Sequence, residues 1–188
     1  MKYLIDCGTH FFEGLKKLNN IYKFDDTWMI YSFEANPITF NASHKYKPSY
    51  INLIHINAAV STQDGYKTIN CEGSQNGCGE GSNILEFPPQ SDTLYGHSFQ
   101  YQKLQTPTYD LCSFILNLSN IDFLVIKMDI EGEEYSILPQ ILNSNIKIDD
   151  IYIEFHERFF EDTQYYASLN SSFISQLHNN NTNVIVWH

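Results

Sequence analysis

The chain is short of positive charge: 11 Lys and Arg stand against 22 Asp and Glu in 188 residues, a formal net charge of −11. Polyanion binding draws its affinity from Lys and Arg neutralising phosphates, so DNA and RNA are not expected partners. Cysteine is scarce as well. The four cysteines, at positions 7, 71, 78 and 112, form neither a C-x-x-C pair nor a dense framework, which points to a reducing, cytoplasmic setting. Cys71 and Cys78 bracket the stretch CEGSQNGC and are read as free thiols rather than a pair. Long apolar runs and a signal-peptide pattern are missing, since a candidate strand starts within three residues of Met1, so neither a membrane span nor export is expected. No Pro/Gly/Ser linker or block of charge interrupts the chain, so residues 1–188 are expected to form one domain. The dinucleotide fingerprint G-x-G-x-x-G is also absent, which argues against NAD.

What remains is enough apolar and aromatic residue content, 43% and 15%, for one folded core. YLID (3–6) is a short apolar run ending at an acid, and HFFEGLKKLNN after it places Phe11, Leu15 and Leu18 at helical spacing. WMIYSFEANP (28–37) repeats the pattern, with Pro37 suited to a first helical turn. YINLIHINAAV (50–60), IDFLVIKMD (121–129), DDIYIEFHE (149–157) and NVIVWH (183–188) are further strand candidates. TYDLCSFILNL (108–118), EEYSILPQIL (133–142) and TQYYASLNSSFISQLHN (163–179) have helical character, with Pro139 placed to break or kink a last turn. Strands spaced by helix-length segments predict an α/β fold, a mostly parallel twisted sheet with helices on both faces. Residues 61–105 depart from that rhythm, and their D-G turn and dense glycines predict an inserted hairpin and surface loop.

In such a sheet ligands bind outside the carboxyl ends of the strands. Those ends carry Asp6 and Gly8, Glu34, Asn57 and Ala58, the run from Lys127 to Gly132, and Glu154 with His156. Glu34, at the end of the second strand, is placed to accept hydrogen bonds from both hydroxyls of a ribose; the alternative is an acid that merely ends a strand. Lys127 is read as a partly buried lysine paired with a neighbouring carboxylate, and Glu131 with Gly132 as turn formers. Glu133 and Glu134 are read as acids opening a helix.

LIDCGTHFFEGL, YSFEANP, GCGEGSNIL, YDLCSFI, IDFLVIKMDIEGEEYSIL and IYIEFHE, in this order, resemble the FkbM family of S-adenosylmethionine-dependent methyltransferases. The most specific part is K-x-D-x-E-G-x-E at 127–134. The resemblance implies a Rossmann-like class I methyltransferase fold and methyl transfer to a hydroxyl oxygen of a glycan or glycosylated metabolite. It implies a cofactor site in which Asp6, Gly8, Thr9 and His10 form the turn at the methionine end. Glu34 with Ala35 would hold the ribose, Asn57 and Ala58 would lie near the adenine, and Ser82 and Asn83 would lie close by. Asp129 would face both donor and acceptor. One departure stands out: the family's second glycine is replaced by Phe12, and Gly14 follows two residues later. The family's covering helices before the first strand are not seen, so the 61–105 insertion, an oligomeric contact or a partner domain is expected to close the site.

Methyl transfer to a hydroxyl needs alignment, exclusion of water and a proton acceptor. His156 is the expected base, on one strand face with Glu154, and Asp129 is the second candidate. Asp129, Glu154 and His156 could alternatively hold Mg²⁺ or Mn²⁺. The competing reading from a different class is a non-catalytic Rossmann-like module that binds a nucleotide or a partner chain.

Overall fold

The computed structural model describes residues 1–50, 52–73, 78–89, 91–92, 97–98 and 100–187, the last two short pairs as backbone only. Ile51, four residues of the CEGSQNGC stretch and His188, which fall inside segments assigned above, lie outside the described residues.

Six strands form the central sheet: β1 (Lys2–Cys7), β2 (Trp28–Glu34), β3 (Leu53–Asn57), and, after an intervening small sheet, β9 (Phe123–Met128), β10 (Asp150–Ile153) and β11 (Asn183–Val186). Their order is β11-β10-β9-β1-β2-β3, and every neighbouring pair is parallel. The chain runs outward from β1 to β3 and then returns to pair β9 on the other side of β1. The reversal of strand order therefore lies between β1 and β9, the place where open α/β sheets bind ligands.

Strand alternation sorts the side chains between two cores. Tyr3, Ile5 and Cys7 of β1 join Leu124, Ile126 and Met128 of β9 on one face. There they pack with α3 (Leu111–Leu116), α4 (Glu134–Leu142) and α5 (Thr163–Asn179). Leu4 and Val125 point to the other face, under Leu15 and Leu18 of α1 (Glu13–Tyr22). Helices thus cover both faces, as the spacing predicts. Phe12, not Phe11, completes the buried α1 stripe. It adopts φ 67°, the left-handed conformation a glycine takes most easily, so the loop keeps the turn that the resemblance implies for a glycine, and a buried ring fills the core instead.

The insertion is more ordered than a loop. β5 (Gly65–Glu72) pairs antiparallel with β8 (Tyr101–Asp110) through eight register pairs, and β4 (Ala59–Ser61) lies parallel to β8 on its other side. Between them, β6 (Ser91–Asp92) and β7 (His97–Ser98) form a two-residue ladder. Several expected boundaries shift, and the strand expected over 50–60 divides into β3 and β4 in different sheets. The helix expected over 108–118 starts only at Leu111, because its first residues extend β8 and the Asp110 carboxylate caps the helix by accepting from Ser113 N–H at 2.9 Å. The strand expected over 149–157 ends at Ile153. Pro139 does not stop α4, which continues to Leu142. Cys71 and Cys78 are free thiols.

Register sets a polar row across the carboxyl end of the sheet on the α1 side: Ser32 beside Asp6, Asp6 beside Lys127, and Lys127 beside Tyr152. Lys127 is 3% exposed. Its ammonium donates to the Gly8 carbonyl at 2.7 Å and to Asp129 Oδ2 at 3.1 Å, and lies 3.5 Å from Asp6 Oδ1. Gly14 of α1 sits over its stem, where a Cβ would stand 2.8 Å from Cε. That contact gives the displaced glycine a packing role. Gly8 has φ 81°, and a Cβ there would lie 1.8 Å from the Asp129 carbonyl oxygen.

Two predictions follow from this junction of β1 and β9. Gly8→Ala should destabilise the fold by about 3 kcal/mol or more, since it meets both a backbone clash and a left-handed φ. Lys127→Met should cost about 3–5 kcal/mol by stranding the buried Asp6 carboxylate and the half-buried one of Asp129, and adding Asp6→Asn should restore part of the loss. Urea denaturation of the single and double variants checks both.

Candidate functional site

A cavity of about 780 Å³ opens at the carboxyl ends of the central strands, a size suited to a small molecule. Gly8, Thr9, His10, Glu34, Ala35, Ala58, Ser82, Asn83, Asp129 and Glu154 all line it, so most of the residues singled out in the sequence converge. Asp6, Asn57 and His156 are not part of the lining and act from behind the wall. Glu72 and Gly79 to Ile84 add a side from the insertion.

At one end, two backbone amides hold the Glu34 carboxylate. His10 N–H donates to Oε2 at 2.9 Å and Asn36 N–H to Oε1 at 2.8 Å. His10 has φ 47°. Its ring Nε2 lies 3.0 Å from the Cys78 carbonyl, which ties the first loop to the insertion. Asn57 supports the same strand end from behind, donating from Nδ2 to the Glu34 carbonyl at 2.9 Å. Burial raises the Glu34 carboxyl to about 6, with the Asn36 and His10 amides pulling the other way. Each oxygen retains acceptor capacity after its one amide bond. Ser82 and Asn83 line the cavity and are also bonded within its wall. Ser82 Oγ accepts from Asn36 Nδ2 at 3.1 Å and from Glu72 N–H at 3.0 Å, and Asn83 Oδ1 accepts from Asn70 Nδ2 at 3.1 Å.

Beneath the first loop, Thr9 Oγ1 donates to Asp6 Oδ2 and accepts from Ser32 Oγ at 2.6 Å. Burial raises the Asp6 carboxyl despite the opposing pull of Lys127 and Thr9. Asp129 goes the other way. Burial would raise it, but the Lys127 ammonium and the His156 imidazole together hold it below the usual carboxylate range. Lys127, with His156 behind it, thus keeps the cavity-facing acid ionised.

The other end is built on the turn after β9. Glu131 has φ 55° and Gly132 φ 105°, which confirms the turn expected there. Its clamp was not legible in the sequence: Glu134 Oε1 accepts from Ile130 N–H at 3.0 Å and Oε2 from Gly132 N–H at 2.9 Å. Glu134 is fully buried, so helix opening is not its main role. Glu133 is 4% exposed and reaches the insertion, accepting from Ser61 Oγ at 2.7 Å and Lys67 Nζ at 2.9 Å.

His156 lies three residues past the end of β10, at the start of the 3-10 turn Glu157–Phe159, so a shared strand face does not explain its approach to Glu154. The turn does. Its Nδ1 is 2.9 Å from Glu134 Oε1, while Nε2 lies 3.4 Å from Glu131 Oε2, 3.7 Å from Glu154 Oε1 and 3.9 Å from Asp129 Oδ1. Burial disfavours its charged form, yet Glu131 and Glu134 outweigh burial and raise the imidazole well above its ordinary range. Burial lifts Glu131 to about 7 against the pull of His156. Glu154 is also raised, first by burial and then by Asp129. Glu131 is the member of this group that sequence reasoning missed. Its sole signal was its place in K-x-D-x-E-G-x-E, where the adjacent glycine favours a turn reading.

Among the described residues, no helix is long and apolar enough to cross a membrane. Comparison with curated proteins and with solved structures gives no match. The profile of the methyltransferase FkbM domain matches residues 6–181, a span that contains both ends of the cavity and all the strand-end residues described above. The chain therefore belongs to the FkbM methyltransferase domain family and is a methyltransferase with a Rossmann-like α/β fold.

Proposed function

We propose that the protein transfers the methyl group of S-adenosylmethionine to a hydroxyl oxygen of a sugar or glycosylated metabolite. The observation that carries this reading is the buried Glu34 carboxylate, fixed by two amides and facing the same cavity as Asp129 and Glu154. The donor set fits the cofactor. Glu34 offers two acceptor oxygens to a ribose diol, and Phe33, Ala58, Val60 and Ile84 give a planar base an apolar wall.

When bound, S-adenosylmethionine supplies an electrophilic methyl group on a sulfonium, open to in-line displacement. Asp129, held ionised by Lys127, favours a positive centre near it. Glu154 lines the cavity and would take the acceptor's hydroxyl proton on a carboxylate oxygen, while the bound cofactor would supply the methyl group. His156, out of the cavity lining, positions Glu154 and Asp129 rather than meeting the acceptor.

The lining supports a neutral polyol as acceptor. Glu13, Glu80, Glu131, Glu133 and Glu154 give hydroxyl-accepting oxygens and repel anions, and Phe159 and Trp187 add aromatic surface of the kind sugars stack on. Phe160 and Tyr166 are stacked on each other at 3.9 Å between centroids, so this part of the aromatic run after His156 is engaged internally.

Calorimetry with S-adenosylmethionine and S-adenosylhomocysteine tests the reading. Glu34→Ala should weaken binding by about 2 kcal/mol, roughly 30-fold, with the fold intact by circular dichroism. Because only the ionised carboxyl accepts two hydroxyls, affinity should be level above pH about 7 and fall by up to about tenfold per unit as pH drops through about 6. Absence of binding by folded wild-type protein, or affinity indifferent to Glu34→Ala, overturns the assignment.

A further inference from the structure

We propose that Asp129, Glu131, Glu154 and His156 form a site for one divalent cation of the Mn²⁺ type, opening onto the cavity. Its role in methyl transfer rests on the function proposed above, but the site itself stands on geometry.

The first argument is spacing. In an octahedral shell with metal–oxygen distances of about 2.1 Å, adjacent donors lie about 3.0 Å apart and opposite donors about 4.2 Å. His156 Nε2 stands 3.4, 3.7 and 3.9 Å from oxygens of Glu131, Glu154 and Asp129. One donor atom each from Asp129, Glu154 and His156 falls within a mutual 4.8 Å. Small side-chain movements would place these three on one ion, with Glu131 Oε2 approaching it beside His156 Nε2.

The second argument is independent of the acids. The His156 side chain has no exposed surface, its Nε2 makes no hydrogen bond, and the same is true of Glu131 Oε2 beside it. Buried polar atoms left unpaired are rare, and here two of them point at each other across a gap too long for a good hydrogen bond. A cation between them, taking the place of the Nε2 proton, which is released to solvent, satisfies both.

The third argument is the support behind the ligands. His156 Nδ1 bonds the Glu134 carboxylate, which in turn accepts from Ile130 and Gly132 N–H groups. A histidine oriented by a carboxylate on its far nitrogen is the arrangement that metal sites use to fix tautomer and ring angle. Glu131 is held at φ 55°, and non-glycine residues in this region concentrate where a side chain must be delivered to a particular point. Asp129 divides its oxygens, with Oδ2 on Lys127 and Oδ1 toward His156. Arg158 lies 3.6 Å from Glu154 Oε1 and offsets part of the negative charge there.

Three carboxylates favour a hard cation, while an imidazole favours transition metals over Mg²⁺, so Mn²⁺ suits the mixed set best. Asp129, Glu131 and Glu154 also line the cavity, so positions on the ion remain open toward it. A polyol acceptor would be oriented there by one hydroxyl or by an adjacent pair, with Glu154 Oε1 toward the ion and its other oxygen left to take the proton.

The test uses the full chain, stripped with a chelator, dialysed and titrated with Mn²⁺ while free ion is followed by electron paramagnetic resonance. Wild type should bind one Mn²⁺ per chain, and Mg²⁺ should displace it only at much higher concentration. Glu154→Gln, at a partly exposed position, should weaken Mn²⁺ binding at least tenfold, and Glu134→Gln, a positioning change, by about 10–100-fold. Circular dichroism of each variant separates lost binding from lost folding. No Mn²⁺ binding by folded wild type at millimolar ion, or stoichiometric binding unchanged in a folded Glu154→Gln, overturns the site. S-adenosylhomocysteine binding measured on the same samples distinguishes the two proposals: cofactor binding without Mn²⁺ sinks the metal site alone, and Mn²⁺ binding without cofactor binding sinks the proposed function alone.

Discussion

The ammonium of Lys127 holds the structure together at the point where it is most divided. Strand order reverses between β1 and β9, and the loops after those strands must part to make room for a ligand. Lys127 spans the gap, joining Asp6 of one strand, the Gly8 carbonyl of the loop and Asp129 beyond the other. Burying one cation among two carboxylates and a carbonyl gains little net stability, because desolvation offsets attraction. What it gives is position. The lysine pins the loop, packs under Gly14, and keeps Asp129 charged in a place where burial alone would have neutralised it.

The two ends of the cavity follow different physical rules. At Glu34 the carboxylate is fixed by backbone amides, a rigid arrangement with little side-chain freedom to lose. Around His156 the fixing is done by side chains on side chains, with Glu134 clamping the turn and the ring at once. Such a network is more sensitive to the loss of any one member, since each buried group depends on its partner remaining in place.

The sequence was informative where a pattern reports on periodicity or strand ends. β1, β2, β9 and the 17-residue α5 lie where alternation and helical spacing place them. Lys127 was expected as a paired lysine and is one. Less legible was anything set by a long-range contact. The reach of Glu133 to Ser61 and Lys67 spans 72 and 66 residues of chain, and no local pattern encodes it. Glu131 and Glu134 share composition with ordinary helix starts, so their work in a buried network is indistinguishable by residue type. Phe12 shows the converse: a lost glycine predicts an altered loop, yet core burial holds phenylalanine in the glycine conformation.

The Glu133 contact has a consequence for how such a protein can change over time. The small sheet of β4, β8 and β5 is attached to the signature turn through a buried carboxylate shared by Ser61 and Lys67. The insertion is therefore not a detachable module. Exchanging it for another lineage's version to alter acceptor choice would also withdraw the hydroxyl and ammonium that neutralise Glu133, next door to Glu134. New specificities are expected to arise by changes at its tip, with the base of the insertion inherited together with the turn.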